Sequence, residues 1–348
     1  MTVDWLLEHG GPAIRYRTAT ELAGLPPNHV AELEAALLGS PLVQAWLHRF
    51  QRDASFNAVH GAKHTCFENV MGKLTQLGCH SGIEPFDVRT AYFRDWLEHQ
   101  PQLFADVYFS RTMVAAFLLR AGYAHDPAVR AIAQRRLQVL SAFCAQKDYA
   151  IYVDPADYPS IPKAYRDQPL VDPALYSDGD MALPNWYDLY LLAHYPQDLH
   201  SEAVQAQIDT VIDYILQPDY QRLPQGYGIG LFAPRRYWVI GWCVLLPGYF
   251  DFDLDEQGRH SLLRHLLLLA HFPTARAHPW FKAAQEHLEG YRTERETYLL
   301  PRPYLSEAPN GYWIAGNFMG LEENRRTEQA IELESTFWLL RLRQIMQE

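Results

Sequence analysis

The order of apolar and polar residues along the chain of 348 residues predicts helices almost throughout. Between Glu202 and Leu216, apolar side chains fall at positions i, i+3, i+4, i+7 and i+8, which places them on one face of a helix. Asp126 and Pro127 form a typical helix start, with a capping side chain followed by proline at the first helical position. About a dozen segments have such a pattern, and none shows the two-residue alternation typical of a strand. The pattern therefore predicts an all-α chain.

One stretch, Gln225–Phe250, is unusually rich in aromatic residues. It opens on glycines, turns at Pro234 and continues as an apolar run that breaks at Pro247 and Gly248. We predict a helix here at the centre of the fold, with its Tyr and Trp rings bordering a cavity. Such rings are used where one end is buried and the other meets a polar group or a ligand. The stretch therefore marks a candidate ligand-binding cavity.

The helical pattern dissolves between Lys147 and Pro184, where prolines, aspartates and tyrosines dominate. A long segment without regular structure inside a compact chain usually covers a functional site or acts as a flexible connector. This segment is also the only good candidate for a linker between domains. We predict a single domain over residues 1–348, with residues 147–184 as a proline-rich loop or lid inside it.

A weak internal repeat divides the chain. A helix that ends on glutamine and is followed by polar residues and an aromatic ring occurs at Gln51–Phe56, Gln146–Tyr149 and Gln221–Tyr227. The intervals of about 75–95 residues correspond to two helix hairpins each, because one hairpin takes about 40–47 residues in helical repeats. Hairpins that close on themselves form an α/α toroid, and hairpins that stay open form a solenoid of the HEAT type. The repeat predicts one of these two architectures.

Charge and cysteine content exclude several classes of protein. The net charge of −11 argues against a nucleic-acid partner, which requires a basic face. The four cysteines are scattered without a CxxC pair, so we expect no disulfide framework. No signal peptide is indicated, and the apolar runs Val239–Leu246 and Leu262–Ala270 are too short to span a bilayer. We expect a cytoplasmic protein without a membrane span, and its oligomeric state is left open.

Two acidic pairs are candidates for catalysis. Asp178 and Asp180 flank a glycine and could hold a protonated acid under a lid, because like charges and desolvation both favour the protonated form. They could equally bind Mg²⁺ on a diphosphate, or form a turn before the helix at Pro184. Asp253 and Asp255 favour a loop and a helix start. We take Asp178 and Asp180 as the candidate catalytic residues.

His60 and His64 have the spacing that zinc sites use on a helix. Gly61 weakens a helix here, and no carboxylate stands at the position that a zinc metalloprotease requires. A loop or a helix N-terminus is the simpler interpretation. We therefore predict no metal ligands and no required cofactor, with Mg²⁺ or Zn²⁺ as the alternative.

The remaining candidates would contact a substrate. Aromatic rings stabilise cations, stack on sugars or simply fill a core. Arg235 follows a glycine-rich turn and could bind a phosphate or a carboxylate, whereas Arg236 would point about 100° away on a helix. The glycine-rich turn lacks the strand and the lysine of a phosphate loop. The candidate substrate-binding residues are Trp186, Tyr187, Tyr190, Tyr227, Arg235, Tyr237, Trp238 and Trp242.

The opening residues 5–24, WLLEHGGPAIRYRTATELAG, with the segment Gln51–Phe56 after them, resemble bacterial members of the prenyltransferase and squalene-oxidase repeat superfamily. The similarity extends through residues 183–196, 226–250 and 320–340. The Gly-Trp that usually ends the glutamine hairpin of that superfamily is absent at Phe56. The resemblance implies an α/α toroid whose inner helices line an apolar, aromatic cavity.

The resemblance also implies a chemistry. Cyclases of the superfamily protonate an isoprenoid with an Asp-x-Asp-Asp acid, of which Asp178–Met181 keeps half, and its protein prenyltransferases use zinc held by Asp, Cys and His. We therefore expect a terpenoid-cyclase-like enzyme acting by acid-initiated chemistry on a small apolar substrate or a cationic intermediate. The alternatives are a carbohydrate-active toroid enzyme and a non-catalytic scaffold, since residues 12–22 and 127–137 resemble HEAT-like units.

Overall fold

A computed structural model describes residues 2–99, 105–158, 160–176 and 180–348 of the chain, and it is mainly helical. No helix in these ranges combines the length and the apolar character needed to cross a bilayer. The helices are α1 (Thr2–His9), α2 (Pro12–Arg17, continued by a π-helical turn Thr18–Leu22), α3 (Pro27–Gly39), α4 (Pro41–Leu47), α5 (Phe56–Val59), α6 (Phe67–Leu77), α7 (Glu84–His99), α8 (Ala105–Arg120), α9 (Pro127–Cys144), α10 (Trp186–Ala193), α11 (Glu202–Ile215), α12 (Pro218–Gln221), α13 (Glu256–Leu269), α14 (Pro273–Ala277), α15 (Pro279–Glu289) and α16 (Glu328–Ile345).

Local sequence signals start several of these helices where the pattern predicts, among them α9. Asp126 caps α9 by accepting hydrogen bonds from the amides of Ala128 and Val129, and Pro127 follows at the first helical position. The predicted apolar face of α11 is buried, including Ile208 and Ile212. Caps and amphipathic spacing are local properties, which is why the sequence alone predicts them correctly.

Helices α2, α6, α8, α10, α13 and α16 contact one another in a closed cycle within the described part of the chain. Helix α2 packs against α6, each later member packs against the next, and α16 returns to α2. Other helices flank this cycle: α9 contacts α8 and α10, α15 contacts α13, and α1 contacts α2 and α16. We call the six helices of the cycle the inner helices. Their arrangement brings the N-terminal and C-terminal parts of the chain together.

The expectation of an all-α chain is wrong in one respect, because a small sheet is present. Its strands are β1 (Tyr152–Val153), β2 (Leu170–Val171), β3 (Gly228–Ala233) and β4 (Arg236–Ile240), in that order across the sheet. Strands β2 and β3 are parallel, and the other two pairs are antiparallel. The segment of residues 147–184 thus supplies two strands and several short 3-10 turns rather than a loop alone.

The predicted central helix over Gln225–Phe250 is also wrong, because this stretch forms the β3–β4 hairpin and an irregular segment after it. Apolar residues stand on both faces of the hairpin, including the exposed Trp238 and Val239, so the strands lack the alternation that would have indicated them. Ile229 and Tyr237 pack with Leu170 of β2, and Trp238 contacts Phe232 on the other face. The two strands pair mainly with each other, and β2 adds the pair of Leu170 with Ile229.

Glycine is required where β3 meets β2. Gly228 has a φ of +139°, and a Cβ atom there would lie 2.2 Å from the carbonyl oxygen of Pro169. The hairpin turn at Arg235 has a φ of +62°, in the left-handed region. These backbone angles do not occur in a helix, and they fix the hairpin over the ends of the inner helices.

Candidate functional site

A pocket of about 440 Å³ lies between the β3–β4 hairpin and the N-terminal ends of α8 and α10. Side chains from the segment of residues 147–184 complete its wall, including Tyr165 and Met181. We call it the aromatic pocket. The aromatic residues that line it are Phe56, Phe109, Tyr165, Tyr176, Tyr227, Phe232, Trp238 and Trp242.

A buried carboxylate and a histidine stand together at the wall of this pocket. The side chain of Glu68, at the start of α6, is fully buried. Its Oε1 atom lies 2.9 Å from Nδ1 of His60 and accepts a hydrogen bond of 2.8 Å from the amide of Gly61. The hydroxyl of Tyr187 donates to Oε2 at 2.5 Å. Three donors thus satisfy a charge that would otherwise be costly to bury.

The hydrogen bonds determine the tautomer of His60. The indole Nε1 of Trp242 lies 3.1 Å from Nε2 of His60. Because an indole nitrogen can only donate, Nε2 is the acceptor and the ring proton of the neutral imidazole is on Nδ1, where it is donated to Glu68. His60 therefore presents a basic nitrogen on the pocket side and a carboxylate behind it, the arrangement in which a histidine moves protons.

Aromatic rings surround His60 on several sides. Its ring centroid lies 5.8 Å from that of Phe56, 5.4 Å from Phe109, 5.5 Å from Trp242 and 5.2 Å from Tyr312. This enclosure leaves the His60 side chain 13% exposed and lowers the local dielectric, which strengthens its interaction with Glu68. It also gives the pocket ring faces that attract positive charge.

Trp242 is held in an unusual backbone conformation. Its φ of +67° is in the left-handed region, which residues other than glycine rarely adopt. The carbonyl of Trp242 accepts a hydrogen bond of 3.1 Å from the amide of Trp186, next to the start of α10. Conformations of this kind persist where the surrounding structure enforces them, and they cluster at functional sites.

Tyr187 is firmly protonated. Burial, and then the negative charge of Glu68, raise the pKa of its hydroxyl well above the ordinary value. The hydroxyl is therefore protonated at neutral pH and donates to Glu68. It fixes the carboxylate rather than taking part in proton transfer.

Asp180 lines the aromatic pocket, as expected for a site residue, but it belongs to an ion pair. Its Oδ2 atom accepts a hydrogen bond of 2.6 Å from Nε of Arg135. The other predicted catalytic residue, Asp178, lies outside the described residues. The neighbouring Arg136 and Asp188 form a buried pair, with Nε and Oδ1 2.8 Å apart.

The predicted substrate-binding residues separate into several groups. Tyr227, Trp238 and Trp242 line the aromatic pocket. Tyr187 lies behind the wall of the pocket, where it holds Glu68.

The other four predicted residues lie elsewhere. Trp186 stacks on His265 with ring centroids 3.6 Å apart, and Tyr190 faces a second cavity at the opposite ends of the inner helices. Tyr237 packs in the small core beneath the sheet, and Arg235 is exposed at the hairpin turn. The hairpin separates residues that a helix would have brought to one face.

The candidate metal ligands do not come together. His60 binds Glu68, whereas His64 is exposed, and neither is in a helix. Asp255 caps α13 by accepting from the amide of Gly258, which agrees with the expected helix start. Among the described residues, no group of three or more His, Cys, Asp and Glu side chains has an arrangement that could hold a metal ion.

Sequence reasoning missed Glu68 and Thr112. Glu68 was not singled out because its partner Tyr187 is 119 positions away. Thr112, in α8, lines the pocket with a buried hydroxyl for which the described residues provide no hydrogen-bond partner. The only signal for Glu68 was its place on the buried face of an amphipathic helix, where a carboxylate requires a partner.

Comparison of the chain with protein-family models, with curated proteins and with solved structures finds no match.

Proposed function

We propose that the chain is an α/α-toroid enzyme that binds a small apolar molecule of the isoprenoid class in the aromatic pocket and transfers a proton through His60. The closed cycle of inner helices supports the toroid, because an open solenoid has no contact between its first and last units. The observation that carries the function is the Glu68–His60 pair at the wall of an aromatic pocket.

The pocket favours an apolar ligand. Its volume of about 440 Å³ is within the range of small-molecule sites. Apolar and aromatic side chains form most of its lining, and its polar contacts include His60, Thr112, Asp180 and Asn185. Burial of an isoprenoid chain against these rings gives binding free energy in proportion to the apolar area removed from water. The ring faces then stabilise any cation that forms on the ligand.

In this proposal His60 has the proton-transfer role that the sequence indicated for Asp178 and Asp180. The Asp180 carboxylate is paired with Arg135, whereas an acid that starts a cyclisation must carry a proton. Once a ligand displaces the Trp242 indole, Nε2 of His60 removes a proton from the ligand, and the resulting imidazolium returns that proton at another carbon of the same ligand, so that the net change is an isomerisation. Glu68 holds the ring and stabilises its protonated form.

The test combines ligand binding with product analysis. Purified protein is incubated with farnesol, squalene and a linear alkane, and in parallel with cello- and malto-oligosaccharides. We expect the isoprenoids to raise the melting temperature and to be converted to products seen by gas chromatography with mass spectrometry. The variant His60→Gln should still bind the isoprenoid but lose conversion by about a hundredfold or more, the range of general acid–base catalysis.

A matched control is His64→Gln, which changes an exposed histidine four positions along the chain and should leave conversion unchanged. Full conversion by His60→Gln would exclude the proposed proton transfer. Stabilisation by oligosaccharides instead of isoprenoids would favour a carbohydrate-active enzyme, for which the aromatic rings beside the Asp180 carboxylate would be the sugar platform. Binding of neither class would favour a protein without catalysis on these substrates.

A further inference from the structure

A second cavity, of about 520 Å³, lies at the C-terminal ends of the inner helices, opposite the aromatic pocket. Every inner helix contributes to its wall, for example Thr75 of α6, Arg120 of α8 and Arg341 of α16. We call it the cationic cavity. It is separate from the site of the proposed function and lies where the cycle of helices opens at its other end.

Guanidinium groups outnumber carboxylates around this cavity. Arg17 and Arg341 share Glu21, with Nε–carboxylate distances of 2.5 and 2.8 Å, and Arg341 also binds Glu348 at 2.6 Å. These two arginines are therefore compensated by the carboxylates that line the same wall. The remaining two guanidinium groups, of Arg120 and Arg264, have no direct ion-pair partner in the described part of the chain.

Arg120 and Arg264 have only neutral partners among the described residues. Arg120 donates to the carbonyl of Gly72 at 3.3 Å, and to the hydroxyl of Thr75. Arg264 is 4% exposed and donates to the amide oxygen of Gln76 at 2.9 Å. No carboxylate in the described ranges forms an ion pair with either arginine, and the Nε atom of Arg264 is buried without a hydrogen-bond partner.

A single indole ring connects the two cations. The guanidinium carbon of Arg264 lies 3.7 Å from the ring centroid of Trp313, and that of Arg120 lies 4.5 Å from it. Cation–π contacts recover part of the lost hydration but do not neutralise the charge. Burial lowers the pKa of Arg120 to about 9 and that of Arg264 to about 10, so both side chains are charged at neutral pH.

The C-terminal ends of helices attract cations, and this offers a purely structural explanation for the arginines. The effect falls off within the last turn of a helix. It therefore applies to Arg120, the last residue of α8, but Arg264 is five residues before the end of α13. A buried and a half-buried positive charge, neither with a direct ion-pair partner in the described ranges, stand next to an open cavity in which a negative charge would balance them.

We propose that the cationic cavity binds a small organic oxyanion, a phosphate or a carboxylate, between Arg120 and Arg264. The planar guanidinium groups can bind such an oxygen pair in bidentate fashion. The volume leaves room for an organic group beyond the anion. His194 lines the same wall, and burial lowers its pKa to about 4, so at neutral pH it contributes a neutral hydrogen-bonding group rather than a further charge.

The test uses pyrophosphate and citrate as separate probes, with chloride as the control at equal ionic strength. Isothermal titration calorimetry on the full chain should give saturable binding of at least one probe, and the preferred probe identifies phosphate or carboxylate as the recognised group. Arg120→Gln and Arg264→Gln should each weaken binding by about tenfold or more, as expected for the loss of a charge-assisted hydrogen bond. Arg130→Gln, which removes a partly exposed ion pair with Asp198, should not change it.

A variant that is expected to strengthen anion binding keeps the test valid if Arg120→Gln and Arg264→Gln impair folding. Glu348 is half exposed and pairs with Arg341 at the wall of the cavity. Its negative charge there would repel a bound anion. Glu348→Gln should therefore tighten binding by about two- to fivefold, the range of an exposed ion pair. The proposal is overturned if neither probe binds, if Arg120→Gln and Arg264→Gln bind as the parent does, or if Glu348→Gln weakens binding.

Discussion

The two ends of the cycle of inner helices treat buried charge in opposite ways. At the aromatic pocket each charged side chain described above has partners that satisfy it: Glu68 accepts from His60, Gly61 and Tyr187, Arg135 pairs with Asp180, and Arg136 pairs with Asp188. At the cationic cavity, Arg120 and Arg264 have neutral partners only within the described ranges. The charges at the aromatic pocket are balanced within the protein, whereas the charges of Arg120 and Arg264 would be balanced by the proposed anion.

The paired charges at the aromatic pocket position its side chains, whereas the unpaired charges at the cationic cavity would recognise the proposed anion. A paired charge fixes the geometry of a site and needs no ligand to be stable, which suits a pocket whose ligand is apolar. An unpaired buried charge lowers the stability of the empty protein and repays that cost when the counter-charge binds. Substitutions at the two ends should therefore differ in their effect on the free energy of unfolding.

The largest effect is expected from Arg136→Met, which leaves the Asp188 carboxylate buried without its partner. Breaking a buried pair in this way costs about 3–5 kcal/mol of unfolding free energy. By contrast, Arg120→Met removes a cation that has no carboxylate partner in the described part of the chain, and should change stability by about 1 kcal/mol or less. Urea unfolding without added anion measures both, and equal losses in the two variants would contradict the contrast.

Acidification should destabilise the protein through histidines that are buried among the inner helices. Burial, and then the charge of Arg264, lower the pKa of His265 to about 3. The unfolded chain takes up this proton near pH 6.5, so the contribution is present above that pH and is lost as the pH falls toward 3. Between pH 7 and pH 4.5 His265 alone should cost about 2–3 kcal/mol.

The measurement is the free energy of urea unfolding at both pH values in the parent and in His265→Phe. The phenyl ring retains the stacking on Trp186 but cannot titrate, so the variant should lose less stability on acidification. His125→Gln, at an exposed position, should lose as much unfolding free energy as the parent between pH 7 and pH 4.5. An unchanged pH dependence in His265→Phe would show that this histidine titrates alike in both states.

A smaller loss is expected from Gly72→Ala in α6, at the cationic end. A Cβ atom there would lie 2.4 Å from the indole of Trp313, so the ring that contacts Arg120 and Arg264 would have to move. Overpacking of this kind costs about 1–3 kcal/mol, against a gain of about 1 kcal/mol in helix propensity. Thermal unfolding should show a net loss, and Gly39→Ala, where the added atom meets open space, should show none.

The smallest effect should come from Trp242→Phe at the aromatic pocket. The change keeps an aromatic ring beside His60 but removes the indole donor to Nε2. The loss of one neutral hydrogen bond costs about 0.5–1.5 kcal/mol. Chemical denaturation measures it, and a loss above that range would mean that Trp242 is mainly a packing residue.

The local features of the fold were accessible from the sequence, and the candidate site was accessible only in part. The face of α11, the cap at Asp126 and the aromatic residues Tyr227, Trp238 and Trp242 were identified from their neighbours in the chain. The β3–β4 hairpin was missed because its strands show no two-residue alternation of apolar and polar residues, although they pair with each other. Glu68 was missed because its role comes from a tyrosine 119 positions away.

The sequence by itself determined that this protein is mainly helical, where several of the helices begin, and that aromatic rings would border a cavity. These follow from spacing and capping, which act over a few residues. Only the tertiary structure decided that Gln225–Phe250 forms a hairpin, that His60 and not Asp180 has a carboxylate behind it, and that Arg120 and Arg264 meet at one indole. The meeting of Arg120 and Arg264 at Trp313 depends on contacts between distant segments, whereas the hairpin and the His60–Glu68 pair join residues close in sequence whose backbone geometry and burial the pattern does not show.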